Sequence, residues 1–216
     1  MRVIITGTTG MVGEGVLLEC LQNNKVSEVL SISRKPCGIK DQKLKELLVP
    51  DFTKLQEFEN DIKGYDACYY CAGISSAGMS EEKYHYITYD TTIAFARALL
   101  KANPDITFCF VSGRGTDSTE QGKIMWTRVK GKTENTLKQM PFKSEYNFRP
   151  SLMKPAKGQK HLYGYNRWAH KIFYPLFSLF FPTCTIQEIG NAMITVTLKR
   201  HSKNVLDEKD IKMMAQ

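Results

Sequence analysis

A doubly wound parallel α/β sheet is the fold this sequence predicts, and three observations carry the prediction. Short apolar runs alternate with stretches of helical periodicity as far as Pro150. The first apolar run opens directly into three glycines at three-residue spacing, Gly7, Gly10 and Gly13, and a helical pattern follows them at once. No internal repeat or low-complexity linker interrupts the alternation. Together these describe a Rossmann-type sheet with helices on both faces and a small helical lobe at the C-terminal end.

The elements follow in order. Met1 to Thr6 reads as a short buried strand, and Val12, Val16, Leu17, Cys20 and Leu21 recur at helical spacing. Glu28 to Ser33 alternates as a second strand and stops at Arg34-Lys35-Pro36. Leu47 to Val49 offers a third, closed by Pro50, and a helical stretch from Lys54 to Ile62 leads through Gly64 into a fourth strand ending at Cys71-Ala72-Gly73. Glu81 to Ala102 is a long helix with Ser80 as its N-cap. Asp105 to Val111 is a fifth strand, Gln121 to Gln139 a helix, and Tyr146 to Arg149 a sixth strand ended by Pro150. Ser151 to Tyr165 reads as a loop, followed by an apolar helix and then by Thr185-Ile186-Gln187-Glu188, a capping box that starts a helix through Leu198. Residues 1–150 form the binding domain in this reading, and 151–216 a reduced substrate lobe packed on it.

Composition narrows the function classes. A chain of 216 residues builds one well-buried core, and 42% hydrophobic with 24% charged residues is ordinary for a globular protein. The N-terminus starts directly with a strand, which speaks against a signal peptide. Six scattered cysteines suit a reducing, cytoplasmic setting rather than a disulfide framework. Cys68 and Cys71 make a C-x-x-C, but a spacing of three on a strand turns the thiols to opposite faces, against zinc or redox use. His85, His161, His170 and His201 lack ligand spacing, so no metal is expected. The net charge of +8 is spread without basic blocks, which favours anionic small ligands over nucleic acid. The run Ile172 to Phe181 is too short for a bilayer and is broken by Pro175. It reads as a buried helix or one facing a protein partner or a second copy, with interfacial attachment through Arg167, His170 and Lys171 as the alternative.

The glycine turn carries the chemistry. In Gly7-Thr8-Thr9-Gly10-Met11-Val12-Gly13 the glycines allow a tight turn and let backbone N–H groups approach a pyrophosphate, which then lies at the positive end of the following helix. That is the signature of a dinucleotide site. At the end of the second strand a carboxylate would bind ribose hydroxyls and repel a 2′-phosphate. This chain has Arg34 and Lys35 there instead, which favours NADP.

The TGTTGMVG turn, Asp51-Phe52 after the third strand, Cys71-Ala72-Gly73 after the fourth, Val111-Ser112-Gly113 after the fifth, Val129-Lys130-Gly131-Lys132 on the next helix and Arg149-Pro150 after the sixth resemble one family over nearly the whole chain. It is the short-chain dehydrogenase/reductase superfamily, and within it the atypical and extended members of the nucleotide-sugar epimerase-like and Tat-interacting reductase-like group. The resemblance implies that Asp51 and Phe52 flank the adenine, that Cys71, Ala72 and Gly73 lie along the ribose and pyrophosphate, and that Pro150, Ser151 and Leu152 border the nicotinamide. It implies that Ser112 orients the substrate and that Lys130 holds the nicotinamide ribose.

One position departs from the pattern. The family's catalytic tyrosine stands four residues before its lysine, and here that residue is Trp126, whose indole N–H donates a hydrogen bond but does not titrate usefully. Tyr84, Tyr86, Tyr89, His161, Tyr163 and Tyr165 are the available substitutes, and none stands out among them. Three functions follow in descending weight: an NADP-dependent oxidoreductase or epimerase-like enzyme acting on a small carbonyl or sugar-type substrate, a non-catalytic NADP(H)-binding sensor or interaction protein, and a nucleic-acid-binding protein that uses its basic surface.

Overall fold

A computed structural model of the chain describes residues 1–162 and 183–216. Seven strands form one parallel sheet in the order β3-β2-β1-β4-β5-β6-β9, with β1 at Arg2–Thr6, β2 at Glu28–Ser33, β3 at Leu44–Leu48, β4 at Ala67–Tyr70, β5 at Thr107–Val111, β6 at Ser144–Phe148 and β9 at Val205–Leu206. The pairing order reverses between β1 and β4, whose register runs Val3↔Ala67 to Thr6↔Tyr70. That reversal opens a crevice at the C-terminal strand ends. Two three-residue strands, β7 at Leu152–Lys154 and β8 at Thr183–Thr185, pair separately.

Helices cover both faces because the strands are apolar on both. On one side α1 (Met11–Gln22), α5 (Ile186–Leu198) and α6 (Glu208–Met214) enclose a core that includes Val3, Ile5, Val16, Leu17, Ile189 and Met193. On the other, a 3-10 helix at Phe52–Phe58, α3 (Thr91–Ala102) and α4 (Met125–Gln139) enclose Ile4, Leu55, Tyr70, Phe95, Phe108 and Leu137. Cys68 belongs to the second core and Cys71 packs against the first, so the two thiols do face apart. All six cysteines are free, and all but Cys71 are buried. Among the described residues no helix is long and apolar enough to cross a membrane. The apolar run Ile172 to Phe181 lies outside the described residues.

Several expected elements are shifted, each for a local reason. β3 begins at Leu44, earlier than Leu47, because its pairing with β2 starts at Val29↔Leu44. Its polar residues Lys45 and Glu46 are exposed on an edge strand and hide the pattern. The helix expected from Lys54 is the 3-10 helix, kinked at Lys54 itself. The helix expected from Gln121 starts at Met125, because the Asp117 carboxylate holds the backbone N–H of Gly122 at 2.6 Å in a loop. Ser80 caps a helical stretch as expected, accepting from the Lys83 N–H, but α2 (Glu81–His85) passes into α3 through a π-helical turn at Tyr86–Asp90. Thr185 and Glu188 form the expected capping box. The strand β7 inside the expected loop and the pair β9–α6 carried no sequence signal strong enough to be read.

Glu145 on β6 is buried, and among the described residues no ion pair compensates its carboxylate. Burial, reinforced by Glu134, raises its pKa to about 8. A carboxylic acid with a raised folded-state pKa stabilises the fold below its unfolded value and loses that contribution as pH rises through the folded one. Glu145→Gln should therefore raise the melting temperature at pH 8 more than at pH 5, a difference that thermal unfolding across this range would register. An equal effect at both pH values would contradict the assignment.

Candidate functional site

The site begins with a steric constraint. Gly7 has φ +71°, and a Cβ there would lie 2.7 Å from the Cys71 carbonyl carbon and oxygen. A Cβ on Gly13 would lie 2.2 Å from the Gly7 oxygen. β1, α1 and the end of β4 thus meet at closest approach, and only glycine fits at these two positions. Gly10 differs, since a Cβ there would meet nothing nearer than 3.4 Å. It is the N-cap of α1 without a side-chain cap, and the first helical bond runs from Glu14 N–H to the Gly10 carbonyl. The N–H groups of Met11, Val12 and Gly13 therefore have no helical acceptor, and Met11 and Val12 are partly exposed while Gly13 is buried. Such a cradle fits a pyrophosphate.

Hydroxyl groups hold the turn. Thr8 Oγ1 and Ser31 Oγ of β2 are 2.7 Å apart in a buried contact. Thr6 Oγ1 accepts the backbone N–H groups of Cys71 and Ala72, each at 3.1 Å, and sets the strand end of β4 beside the turn. Beyond it Gly73 faces open space. Thr9, Met11 and Val12 are partly exposed along the same turn.

At the end of β2, Ser33 donates to the Lys35 carbonyl at 2.6 Å, and Arg34 and Lys35 project into solvent. After β3, Asp51 Oδ1 accepts from both the backbone and hydroxyl of Thr53 at 2.9 and 2.7 Å. Those bonds lower its pKa. Phe52 turns inward, its ring 5.3 Å from that of Phe95, so this side chain belongs to the core.

The far end of the crevice gathers Ser112, Trp126, Lys130 and Pro150. Buried Ser112 donates its hydroxyl to the Phe148 carbonyl at 3.2 Å. The Lys130 ammonium donates to the Ser112 carbonyl. Desolvation is the main influence on this amine and pushes its pKa down to about 8, with Glu134 opposing. Pro150 accepts the Arg114 N–H at 2.8 Å, which ties the β5 loop to the end of β6. Trp126 packs over that loop, its ring carbons 3.8–4.0 Å from where Cβ atoms on Gly115 and Gly113 would stand. α4 is drawn in by Gly131, whose missing Cβ leaves room for the Asp117 carbonyl. Leu152 pairs with Thr183 through β7, directly after Ser151.

The proposed substitutes for a tyrosine are dispersed. Tyr84 is buried and Tyr86 is 55% exposed. The Tyr89 hydroxyl accepts from Thr136, with Lys132 4.6 Å above its ring. His161 lies against Glu14 of α1. Tyr163 and Tyr165 fall outside the described residues. Sequence reasoning missed Glu14 of α1, which accepts the His161 N–H, and Gln159, which donates to the Met11 carbonyl of the same helix, each across a long stretch of chain. An acid in the first turn of a helix reads as ordinary dipole compensation, and that masks its burial.

Residues 3–122 match the family described as NAD dependent epimerase/dehydratase. Among curated proteins, Protein HTATIP2 of Rattus norvegicus is 27% identical over 153 residues, which is 70% of this chain and 62% of that protein. Protein FMP52, mitochondrial, of Debaryomyces hansenii is 28% identical over 155 residues, 71% of this chain and 67% of that one. The chain thus spans less than two thirds of the rat protein's length. Two solved structures share the fold. A UDP-N-acetylglucosamine 4-epimerase from Methanobrevibacter ruminantium, in complex with UDP-N-acetylmuramic acid, superposes with TM-score 0.70 at 15% identity over 95% of this chain and 75% of that one. A short chain dehydrogenase from Burkholderia cenocepacia in complex with NADP gives 0.67 at 12% identity over 98% and 91%.

The steric argument separates the glycines. Gly13→Ala should cost about 1–3 kcal/mol or more of folding stability through overpacking, whereas Gly10→Ala should stay within about 0.5 kcal/mol of the parent. Urea unfolding of the two variants measures both, and equal losses would refute the difference in space.

Proposed function

Because the chain belongs to the NAD dependent epimerase/dehydratase family, we propose that it binds NADP(H) at the glycine turn and works as an epimerase- or reductase-like oxidoreductase on a small carbonyl or sugar-type substrate. The observation that supports this reading is the cradle at the start of α1, where the N–H groups of partly exposed Met11 and Val12 have no helical acceptor at the reversal of strand order. The preference for NADP rests on Arg34 and Lys35, exposed at the end of β2 with no carboxylate beside them on that turn. Lys35 reinforces a guanidinium that would grip a 2′-phosphate bidentately. Along the crevice, Asp51 and the backbone of Phe52 take the adenine end, and Cys71, Ala72 and Gly73 the ribose and pyrophosphate. Pro150, Ser151 and Leu152 border the nicotinamide. The cytoplasm, where six free thiols stay reduced, is the setting we assign.

When bound, the dinucleotide supplies or accepts the hydride. The chain's own residues do the rest. Lys130, in its ammonium form below about pH 8, holds the nicotinamide ribose from the Ser112 carbonyl, and the Ser112 hydroxyl directs the substrate oxygen. Trp126 shapes the wall and cannot move a proton, so the proton must come from elsewhere. Losing a general acid removes about 10²–10⁴ in rate, and this same residue favours a second reading: an NADP(H)-binding sensor or interaction protein without turnover.

Arg34→Ala should weaken NADPH binding about 10–100-fold, the worth of a charge-assisted pair, and leave NADH unchanged. Fluorescence titration decides it, and equal affinity of the parent for both dinucleotides would remove the NADP assignment. NADPH oxidation across a carbonyl panel separates the two readings. Turnover that falls as pH rises through about 8 and disappears in Lys130→Ala supports the enzyme. Intact binding with no turnover supports the sensor.

A further inference from the structure

From the end of β6 the chain returns to α1. Pro150 leaves β6, Leu152–Lys154 forms β7, and after Pro155 the segment Ala156 to Leu162 reaches the first turn of the glycine-turn helix through Gln159, Lys160 and His161. They are fastened there on two sides. Glu14, 1% exposed, accepts the Lys160 N–H with both carboxylate oxygens at 2.9 and 3.0 Å and the His161 N–H at 2.7 Å, with the His161 imidazole 3.3 Å away. Gln159 donates its side-chain amide to the Met11 carbonyl and accepts the Ala156 N–H, each at 2.5 Å. Gly15 makes room for it, since a Cβ there would stand 3.0 Å from Gln159 Oε1.

The Met11 carbonyl and the Val12 N–H are the two ends of one peptide group. Gln159 holds one end, and the other is a donor of the open cradle. A hydrogen bond to the carbonyl fixes the tilt of that peptide and polarises its N–H toward an acceptor on the far side. Glu14 keeps Gln159 in place by clamping the two residues after it.

We propose that Gln159, steadied by Glu14, is a positioning residue of the dinucleotide site. The segment Ala156–Leu162 and a bound pyrophosphate tighten each other through the Met11–Val12 peptide. This rests on the dinucleotide reading above, and by linkage it is reciprocal: whatever the segment contributes to the ligand, the ligand returns to the segment.

Two measurements on the full chain test it, fluorescence titration with NADPH and NADH and amide hydrogen exchange at Lys160 and His161 with and without saturating NADPH. In the parent, NADPH should slow exchange at both amides at least about threefold. Gln159→Leu should weaken NADPH and NADH alike by about 5–20-fold, because the pyrophosphate is common to both, and should abolish the ligand-dependent protection. Glu14→Gln should act in the same direction while speeding exchange in the free protein. A merely structural role would leave the two amides indifferent to NADPH. If the parent binds and Gln159→Leu matches its affinity within about twofold, with protection unchanged, the coupling is wrong and the dinucleotide reading stands. If the parent binds neither dinucleotide, both fall. Should Gln159→Leu not fold, Glu14→Gln and exchange in the parent still decide.

Discussion

The close approach of three backbone segments, the Gly7 turn, the first turn of α1 and the end of β4, is the contact on which the rest of this structure depends. With the Gly7 oxygen where a Gly13 Cβ would be, and the Cys71 carbonyl where a Gly7 Cβ would be, no side chain can stand between them. The helix axis is thereby aimed out of the sheet at the point where strand order reverses, and its unpaired N–H groups face the crevice. The Thr6 hydroxyl turns proximity into register by taking two successive N–H groups of the neighbouring strand end. Those donors would otherwise be lost at the point where the sheet ladder stops, and each is worth about 0.5–1.5 kcal/mol when paired.

Much of this was legible because it depends on local rules. The glycine spacing, the β2 alternation and the Thr185 capping box each involve residues within one or two turns of each other, and all stand where the pattern places them. What was not legible depends on partners far away in the chain. β9 is two residues long and exists because Asn147 and Phe148 offer it a ladder. Residues 152–154 form a strand only through 183–185. The π-turn at Tyr86–Asp90 leaves the apolar period nearly intact and so gives no break to read. At the site, residue identity located Ser112, Trp126 and Lys130 correctly on their elements, but it could not show that Lys130 donates to the Ser112 carbonyl or that Phe52 turns into the core.

Lys130 and Trp126 pose one electrostatic question between them. A desolvated amine whose acceptor among the described residues is the Ser112 carbonyl is costly to keep charged, which is why its pKa falls. Glu134 opposes that fall, yet its carboxylate is already engaged by Arg149, with Nε 3.0 Å from Oε1. The charge on Lys130 is therefore only partly compensated. An indole beside it, packed on the glycine loop, adds apolar wall and no proton. The crevice therefore pairs a desolvated cation at position 130 with a side chain at position 126 that does not titrate.

The same distinction applies to the C-terminal part of the chain. By composition it departs at Pro150 from the alternation before it, but in packing it is continuous with what precedes. α5 and α6 supply Ile189, Met193 and Ile211 to the core beneath α1, and β9 adds a strand to the sheet. Glu14 shows what this continuity costs and achieves. A carboxylate that is almost wholly desolvated is tolerable only with several charge-assisted bonds, and here they come from the backbone of residues 160 and 161. Placing the acid in the first turn of α1 adds the favourable field of the helix terminus. A pyrophosphate in the cradle would compete for that same field, being a second anion at one helix end. The segment's amides offset the first charge locally, and that leaves the unpaired N–H groups of Met11 and Val12 available for the second.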